Sequence, residues 1–199
     1  MKKGNSNILV AVRCRPLSTK EKLKQSLKRA KIIDEKIVVL TDVSAAKPEE
    51  VFRQARSKEK TYAFDYAFDE GCGQQYIFER TTKFLIDGIM QGYNASVFAY
   101  GATGAGKTYT MLGTEDEPGI MMLSINELFR SIEEYYAERD YMLKVSYVEV
   151  YNENIKDLLL DKADGEYLDL REDAVKGVMV AGVTEIMTTN VEEIDHYIR

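Results

Sequence analysis

The feature that most constrains this chain is a glycine-rich octapeptide, GATGAGKT, at residues 101–108. It fits the pattern G-x-x-x-x-G-K-[ST], in which a loop between a buried strand and a helix surrounds phosphate oxygens with backbone N–H groups. An apolar run at 94–100 precedes the loop and a helical pattern follows it, as this mechanism requires. The octapeptide therefore predicts an α/β fold that binds a nucleotide phosphate. The alternative is a glycine-rich turn that binds no ligand.

Each residue type in the octapeptide has a chemical task. The glycines let the backbone approach phosphate without Cβ clashes, and the following helix directs its positive end at the same anion. Lys107 is expected to neutralise the β- and γ-phosphates, and the hydroxyl of Thr108 is expected to ligate Mg²⁺. We therefore predict Lys107 and Thr108 as the catalytic residues, Thr108 as the metal ligand, and ATP or ADP with Mg²⁺ as the cofactors.

Composition narrows the class of protein. Of the 199 residues, 45% are hydrophobic and 30% are charged, as in ordinary globular proteins. No apolar run approaches the ~20 residues that cross a bilayer, and two cysteines are too few for a disulfide scaffold or a zinc site. Residues 1–60 carry 16 Lys and Arg against 7 Asp and Glu, although the whole chain has a net charge of −6. This basic part is either a solvated surface or a face for a polyanionic partner.

Apolar periodicity predicts the order of the elements. We expect strands at 8–14, 32–40 (one strand or a hairpin), 62–68, 94–100, 141–151 and 178–183, and helices over 75–91, over about 121–136 and from 190 onward. Residues 42–60 are polar and basic, and they are expected to form a long surface loop. The block EVYNE at 149–153 is expected to be a strand end with a turn, and the segment 113–118 a tight polar connector.

Several blocks resemble the motor domain of kinesins. In chain order they are VRCRP, YAFDYAFDE, FAYGATGAGKTYTMLG around the phosphate loop, SYVEVYNENIKDLL and LREDAVKGVMVAGVTE. This is the order in which the family has them. The alanines of GATGAGKT, the run MLGTEDEPGIM and the basic loop look most like the kinesin-8 subfamily. The resemblance implies a P-loop NTPase of the kinesin-motor fold, with a central, mainly parallel or mixed sheet flanked by helices.

The resemblance also implies the base-binding residues. Arg13, Arg15 and Pro16 match the RxRP motif beside the adenine, and Tyr109 matches the aromatic ring on the other side of the base. A proline face and an aromatic ring can sandwich a flat base, and nearby arginines suit both the ring and the phosphates. The full set of predicted nucleotide contacts is Arg13, Arg15, Pro16, Gly101, Ala102, Thr103, Gly104, Ala105, Gly106, Lys107, Thr108 and Tyr109.

Two kinesin motifs do not occur in this sequence: the serine- and arginine-rich switch NxxSSRSH and the second switch DLAGSE. We therefore expect residues 1–199 to be the N-terminal portion of a single motor domain, truncated before the switch regions. In the family sheet the strand that carries the loop lies between two later strands, so 8–14 and 94–100 should not pair directly. The 199 residues alone should bind nucleotide weakly, lack turnover and be marginally stable.

For the complete protein the resemblance implies a microtubule-stimulated ATPase. Its expected partners are ATP and tubulin, with neither nucleic acid nor membrane, and it should be a coiled-coil homodimer on cytoplasmic microtubules. Hydrolysis would drive movement along microtubules and, in this subfamily, control of their ends. One alternative is a tubulin-binding or regulatory module that keeps the loop without hydrolysis. A generic P-loop kinase or nucleotide switch would explain none of the flanking blocks.

Overall fold

The computed structural model describes residues 8–42, 58–135, 140–160, 167–174 and 177–198. The chain divides into two compact units, Met1–Ser124 and Ile125–Arg199. The described strands form one parallel pair and several antiparallel ladders, with helices between them in the sequence. The fold is therefore of the mixed α/β kind that the sequence predicts.

The first unit contains the strands and helices that surround the phosphate loop. They are β1 (Ala11–Arg13), α1 (Thr19–Leu23), β2 (Ala30–Ile33), a 3₁₀ turn (Asp34–Lys36), β3 (Ile37–Asp42), β4 (Lys58–Ala63), β5 (Tyr66–Phe68), α2 (Gln74–Thr81), α3 (Lys83–Met90) and α4 (Lys107–Met111). Helix α5 (Ile120–Tyr135) begins in this unit. At 16 residues α5 is the longest helix in the described part of the chain, where no helix is long and apolar enough to cross a membrane.

Strand β1 lies beside β5 in the first unit. It pairs in parallel with β5, with Arg13 opposite Phe68, and the Cys14 amide donates to the Phe68 carbonyl at 2.8 Å. Within the described residues no ladder joins β1 to 94–100. The observed strand is shorter than the predicted 8–14, because only residues 11–13 have a paired neighbour.

The region predicted as a strand or hairpin at 32–40 is a hairpin. Strands β2 and β3 are antiparallel across the 3₁₀ turn, and β4 adds a third strand with Asp42 opposite Lys58. The predicted loop 42–60 was therefore too long at its ends, since residues 42 and 58–60 belong to this ladder. Residues 43–57, with Lys47, Arg53 and Arg56, lie outside the described residues. The predicted strand 62–68 is divided between β4 and β5.

The single helix predicted over 75–91 is two helices. They separate at Thr82, where φ is −124° and ψ is −35°. The hydroxyl of Thr81 donates to the Ile77 carbonyl at 2.7 Å, a bond that competes with the regular helical pattern and bends helices. Apolar periodicity continues through the break, and so the sequence pattern could not locate it.

The predicted strand at 94–100 was wrong for this chain. These residues form no regular secondary structure, and Phe98 and Tyr100 are 83% and 97% exposed. A strand needs neighbours for its backbone N–H and C=O groups, and no described strand pairs with this segment. The apolar run has the composition of a buried strand without the ladder that would bury it.

The core of the first unit lies between β5, α2 and the start of α5. Phe68, Ile77 and Ile120 form its buried cluster, and Tyr66 and Tyr76 pack against it. The Phe68 ring stacks on Tyr66 at 5.9 Å between centroids and meets Tyr76 edge-on at 6.0 Å. This aromatic cluster supports the strand that faces β1.

The second unit consists of short antiparallel pairs and a helix. Its elements are β6 (Leu143–Val145), β7 (Val148–Tyr151), β8 (Asn154–Asp157), β9 (Asp169–Asp173), β10 (Gly177–Ala181), β11 (Ile186–Thr188) and α6 (Val191–Ile198). The predicted strand 141–151 is interrupted between β6 and β7, and β10 takes the place of 178–183. Asn152 and Glu153 have φ of 48° and 67° and connect β7 to β8. This two-residue turn of type I′ confirms the turn expected in EVYNE.

Helix α6 begins where the sequence predicts it. The Asn190 side chain accepts a hydrogen bond from the Glu193 amide at 2.8 Å, as an N-cap residue does, and Ile194 is only 1% exposed. The buried carboxylate of Asp157 accepts from the Leu159 and Thr184 amides at 2.9 and 2.8 Å. Asp157 thereby joins the two ends of the 158–184 segment.

Candidate functional site

The phosphate-loop sequence forms a turn that leads directly into α4. Gly104 and Gly106 have φ of +80° and +95°, a region that side chains disfavour, and Gly106 is the N-cap of α4. The Ala105 amide donates to the Ala102 carbonyl at 3.0 Å and closes the turn. Left-handed residues beside right-handed ones direct successive N–H groups to one side, which makes a concavity suited to an anion.

Lys107 folds back over the loop. Its Nζ donates to the carbonyls of Gly101 at 2.8 Å and Ala102 at 3.1 Å. The ammonium group therefore lies against the first two residues of the octapeptide. This arrangement fits the predicted role of Lys107 as a phosphate-binding cation.

Thr108 is exposed next to Lys107, in the first turn of α4. No cluster of three or more His, Cys, Asp or Glu residues suited to a metal occurs among the described residues. Mg²⁺ commonly takes one or two protein oxygens together with substrate phosphates and water. An accessible threonine hydroxyl beside the loop fits this mode, in which the nucleotide supplies most of the metal ligands.

Arg13 stands at the end of β1 in a network of uncharged partners. Its Nη1 donates to Gln74 Oε1 at 2.7 Å and to Thr110 Oγ1 at 3.0 Å, and its Nη2 donates to the Cys72 carbonyl at 3.3 Å. The guanidinium carbon lies 5.0 Å from the centroid of the Tyr109 ring, within cation–π distance. Partial burial lowers the pKa of Arg13, although an arginine remains charged at neutral pH.

Arg15 has a different environment from Arg13. It forms a bidentate pair with Glu21 at 2.7 and 2.8 Å and also donates to the Pro16 carbonyl at 2.9 Å. Glu21 accepts from the Ser18 amide at 2.7 Å, so the same carboxylate completes the capping box of α1. Its hydrogen bond with Arg15 holds the pKa of Glu21 well below its ordinary value and raises that of Arg15. Arg15 therefore orients the chain at Pro16, with its charge balanced by Glu21.

Tyr109 is held at both its backbone and its hydroxyl. Its carbonyl accepts from Gln74 Nε2 at 2.5 Å, and its hydroxyl donates to the carboxylate of Glu117. This second bond raises the pKa of Tyr109. Glu117 belongs to the compact connector predicted at 113–118, where the Thr114 amide donates to the Glu117 carbonyl at 2.9 Å. The ring is thus fixed beside Arg13.

One open cavity of 1670 Å³ in the first unit joins most of the predicted residues. Its lining includes Arg13, Arg15, Pro16, Gly104, Ala105, Gly106, Lys107 and Tyr109. The other four predicted contacts, Gly101, Ala102, Thr103 and Thr108, are not part of that lining. The volume exceeds the ~300–1,000 Å³ of most ligand pockets, since it also extends along 8–12 and 94–100.

Sequence reasoning missed three residues that build the site: Gln74, Thr110 and Glu117. Gln74 and Arg13 are 61 positions apart, and Thr110 and Arg13 are 97 apart. No motif or spacing in a single sequence links residues at such separations. Only the compact connector offered a signal for Glu117, because a tight loop after α4 must return close to Tyr109.

Comparisons with known proteins show the family to which this chain is similar. The family model for the kinesin motor domain matches residues 13–199. Kinesin-like protein KIF19 of Homo sapiens is 47% identical over 190 residues, which cover 96% of this chain and 19% of that protein. Kinesin-like protein KIN-8A of Oryza sativa subsp. japonica is 41% identical over 191 residues, 96% of this chain and 24% of that protein. Kinesin-like protein KIF18A of Mus musculus is 41% identical over 197 residues, 93% of this chain and 21% of that protein.

Solved structures with the same fold cover nearly all of this chain. A fast kinesin superimposes with a TM-score of 0.83 and 33% identity, over 96% of this chain and 51% of that one. A KIF14 dimer, bound by two heads to a microtubule with AMP-PNP, gives a TM-score of 0.84 and 30% identity, over 98% of this chain and 53% of that one. The chain thus spans about half the length of these solved chains and about a fifth to a quarter of the three curated relatives.

Proposed function

Because this chain belongs to the kinesin motor-domain family, we propose that it is the nucleotide-binding part of a microtubule-based motor. Its similarity to KIF19, KIN-8A and KIF18A confirms the resemblance to kinesin-8 proteins, and the TM-scores confirm the kinesin-motor fold. The observation that carries the proposal is the joining of Lys107, Arg13 and Tyr109 in one cavity. A phosphate-binding group and a base-binding pair are thereby available to the same ligand.

ATP or ADP would bind with its ends on different elements. The phosphates would lie in the loop, where Lys107 and the amides from residue 102 to 108 supply positive charge and N–H donors. Mg²⁺ would be held between the phosphates and the hydroxyl of Thr108. The base would lie toward Tyr109 and Pro16, with Arg13 at its edge. The single domain of which 1–199 forms the N-terminal portion would supply the remaining groups for hydrolysis.

The complete protein would couple ATP hydrolysis to movement along microtubules and, as a kinesin-8, to control of their ends. The KIF14 structure shows a dimer on a microtubule with AMP-PNP, and we extend that arrangement, including dimerisation, to this protein. The basic residues of 42–60 would contact tubulin, because the acidic surface of tubulin attracts them. The protein would accordingly be found on the microtubule cytoskeleton of the cytoplasm.

Calorimetric titration with ADP and Mg²⁺ tests the nucleotide site. Lys107→Ala should weaken ADP binding about 10–100-fold, because it removes charge-assisted bonds to phosphate. Lys156→Ala is the matched control, since Lys156 is an exposed lysine in β8 of the other unit. Equal affinity in the two variants would contradict the proposal. Thr108→Val should leave the affinity for ADP without Mg²⁺ unchanged. It should remove the increase in ADP affinity that Mg²⁺ provides.

Microtubule co-sedimentation of the full-length protein tests the motor reading. Neutralising Lys47, Arg53 and Arg56 should weaken binding and flatten its dependence on salt. Neutralising Lys20, Lys22 and Lys24 of the α1 region removes the same charge and serves as the control. Microtubule binding without ATP turnover would favour a tubulin-binding or regulatory module instead.

A further inference from the structure

Gln74, at the first position of α2, connects the elements that carry Arg13 and Tyr109. We propose that Gln74 is the positioning residue that fixes Arg13 beside the Tyr109 ring and so sets the affinity for the base end of a nucleotide. The inference rests on the proposed nucleotide site. It adds a residue that lies outside the phosphate loop and does not line the cavity.

Both ends of the Gln74 amide are engaged. Oε1 accepts from Arg13 at 2.7 Å, and Nε2 donates to the Tyr109 carbonyl at 2.5 Å. These bonds join β1, α2 and α4, which are remote from one another in the sequence. The Gln74 amide therefore sets the distance between Arg13 and Tyr109, whose ring Arg13 faces.

The burial of Gln74 makes this arrangement specific for an amide. The residue is only 4% exposed, and a buried polar side chain without partners costs stability. A glutamine offers an acceptor and a donor at the same end, as Arg13 and a backbone carbonyl together require. A glutamate would keep the bond from Arg13 and repel the Tyr109 carbonyl, while a methionine of similar length would make neither bond.

The phosphate end of the site is held by contacts in which Gln74 takes no part. Lys107 is held by the Gly101 and Ala102 carbonyls, and the loop turn is closed by the bond from Ala105 to Ala102. Arg13, in contrast, is held by Gln74, Thr110 and the Cys72 carbonyl. Loss of the Gln74 amide should therefore affect the base end selectively.

Isothermal titration of the full-length protein with two probes tests this selectivity. ADP engages both ends of the site, whereas inorganic tripolyphosphate engages the loop alone. Gln74→Met should weaken ADP about tenfold, the effect of losing a buried bond to a charged group. Tripolyphosphate affinity should change by about twofold or less, as for a change away from the ligand. Gln74→Glu retains an acceptor for Arg13 and should restore part of the ADP affinity.

Gln75→Met is the matched control, being the same substitution one position later. Gln75 lies on the exposed side of α2, where its amide bonds only to Glu79, at 2.9 Å, among the contacts the structure gives it. This variant should bind both probes like the wild type. Unchanged ADP affinity in Gln74→Met, or equal weakening of both probes, would overturn the inference. If the wild type binds neither ADP nor tripolyphosphate, the proposed nucleotide site is rejected instead.

Discussion

Replacing Phe68 by alanine is a direct test of how the core supports β1. Phe68 is 1% exposed, pairs in register with Arg13 and accepts the Cys14 amide at its carbonyl. Its ring has aromatic neighbours on two sides, Tyr66 and Tyr76. Removal of this ring should therefore leave a cavity beside β5, the strand that pairs with the strand presenting Arg13.

The expected cost can be worked out from the contacts. Phe→Ala in a core costs about 3–5 kcal/mol, and the upper half applies here because each aromatic pair adds about 0.5–1.5 kcal/mol. The total free energy of unfolding of a domain is only about 5–15 kcal/mol, so this loss is large. Phe68→Leu keeps most of the volume and should cost about 1–2 kcal/mol.

Hydrogen exchange of the full-length protein, followed by mass spectrometry, measures this locally. Protection of the β1–β5 peptides should fall in Phe68→Ala by the free energy given above and only slightly in Phe68→Leu. Phe84→Ala is the control, since Phe84 is 50% exposed and should cost about 1 kcal/mol or less. Equal effects of Phe68→Ala and Phe84→Ala would refute the reasoning.

Three further predictions concern other contacts. Because Arg15 depresses the pKa of Glu21, the wild type should have a higher melting temperature than Glu21→Gln above the ordinary carboxyl pKa of 4.5. The difference in melting temperature should vanish as the pH falls well below 4.5, because Glu21 is then protonated. A difference that stays constant with pH would contradict the ion pair between Arg15 and Glu21. Burial raises the pKa of Cys14 and of Cys72, so both thiols should alkylate more slowly at pH 8 than in the urea-unfolded chain, and equal rates would contradict this. Glu153→Gly should raise the free energy of unfolding, measured in urea, by about 0.5–1 kcal/mol, because glycine adopts the positive φ of a type I′ turn without strain; no gain would dispute the turn.

Features that depend on contiguous residues could be predicted from the sequence. The turn that leads into α4, the β structure at 32–40 (predicted as one strand or a hairpin), the EVYNE turn and the start of α6 were all recognised in this way. Each is determined by local backbone preferences, side chains a few positions apart, or a motif with one mechanism. The family resemblance followed from the same short blocks.

Features that depend on partners distant in the sequence were decided by the tertiary structure alone. Residues 94–100 have the composition of a strand, yet their state depends on whether neighbouring strands exist to pair with them. Arg13 and Arg15 look equivalent in the motif, but packing gives Arg13 the uncharged acceptors of α2 and α4 and gives Arg15 the carboxylate of Glu21. Gln74 acquires its position only when β1, α2 and α4 meet. A buried hydrogen bond has the same strength at any sequence separation, and a periodic pattern carries no record of which distant residue forms it.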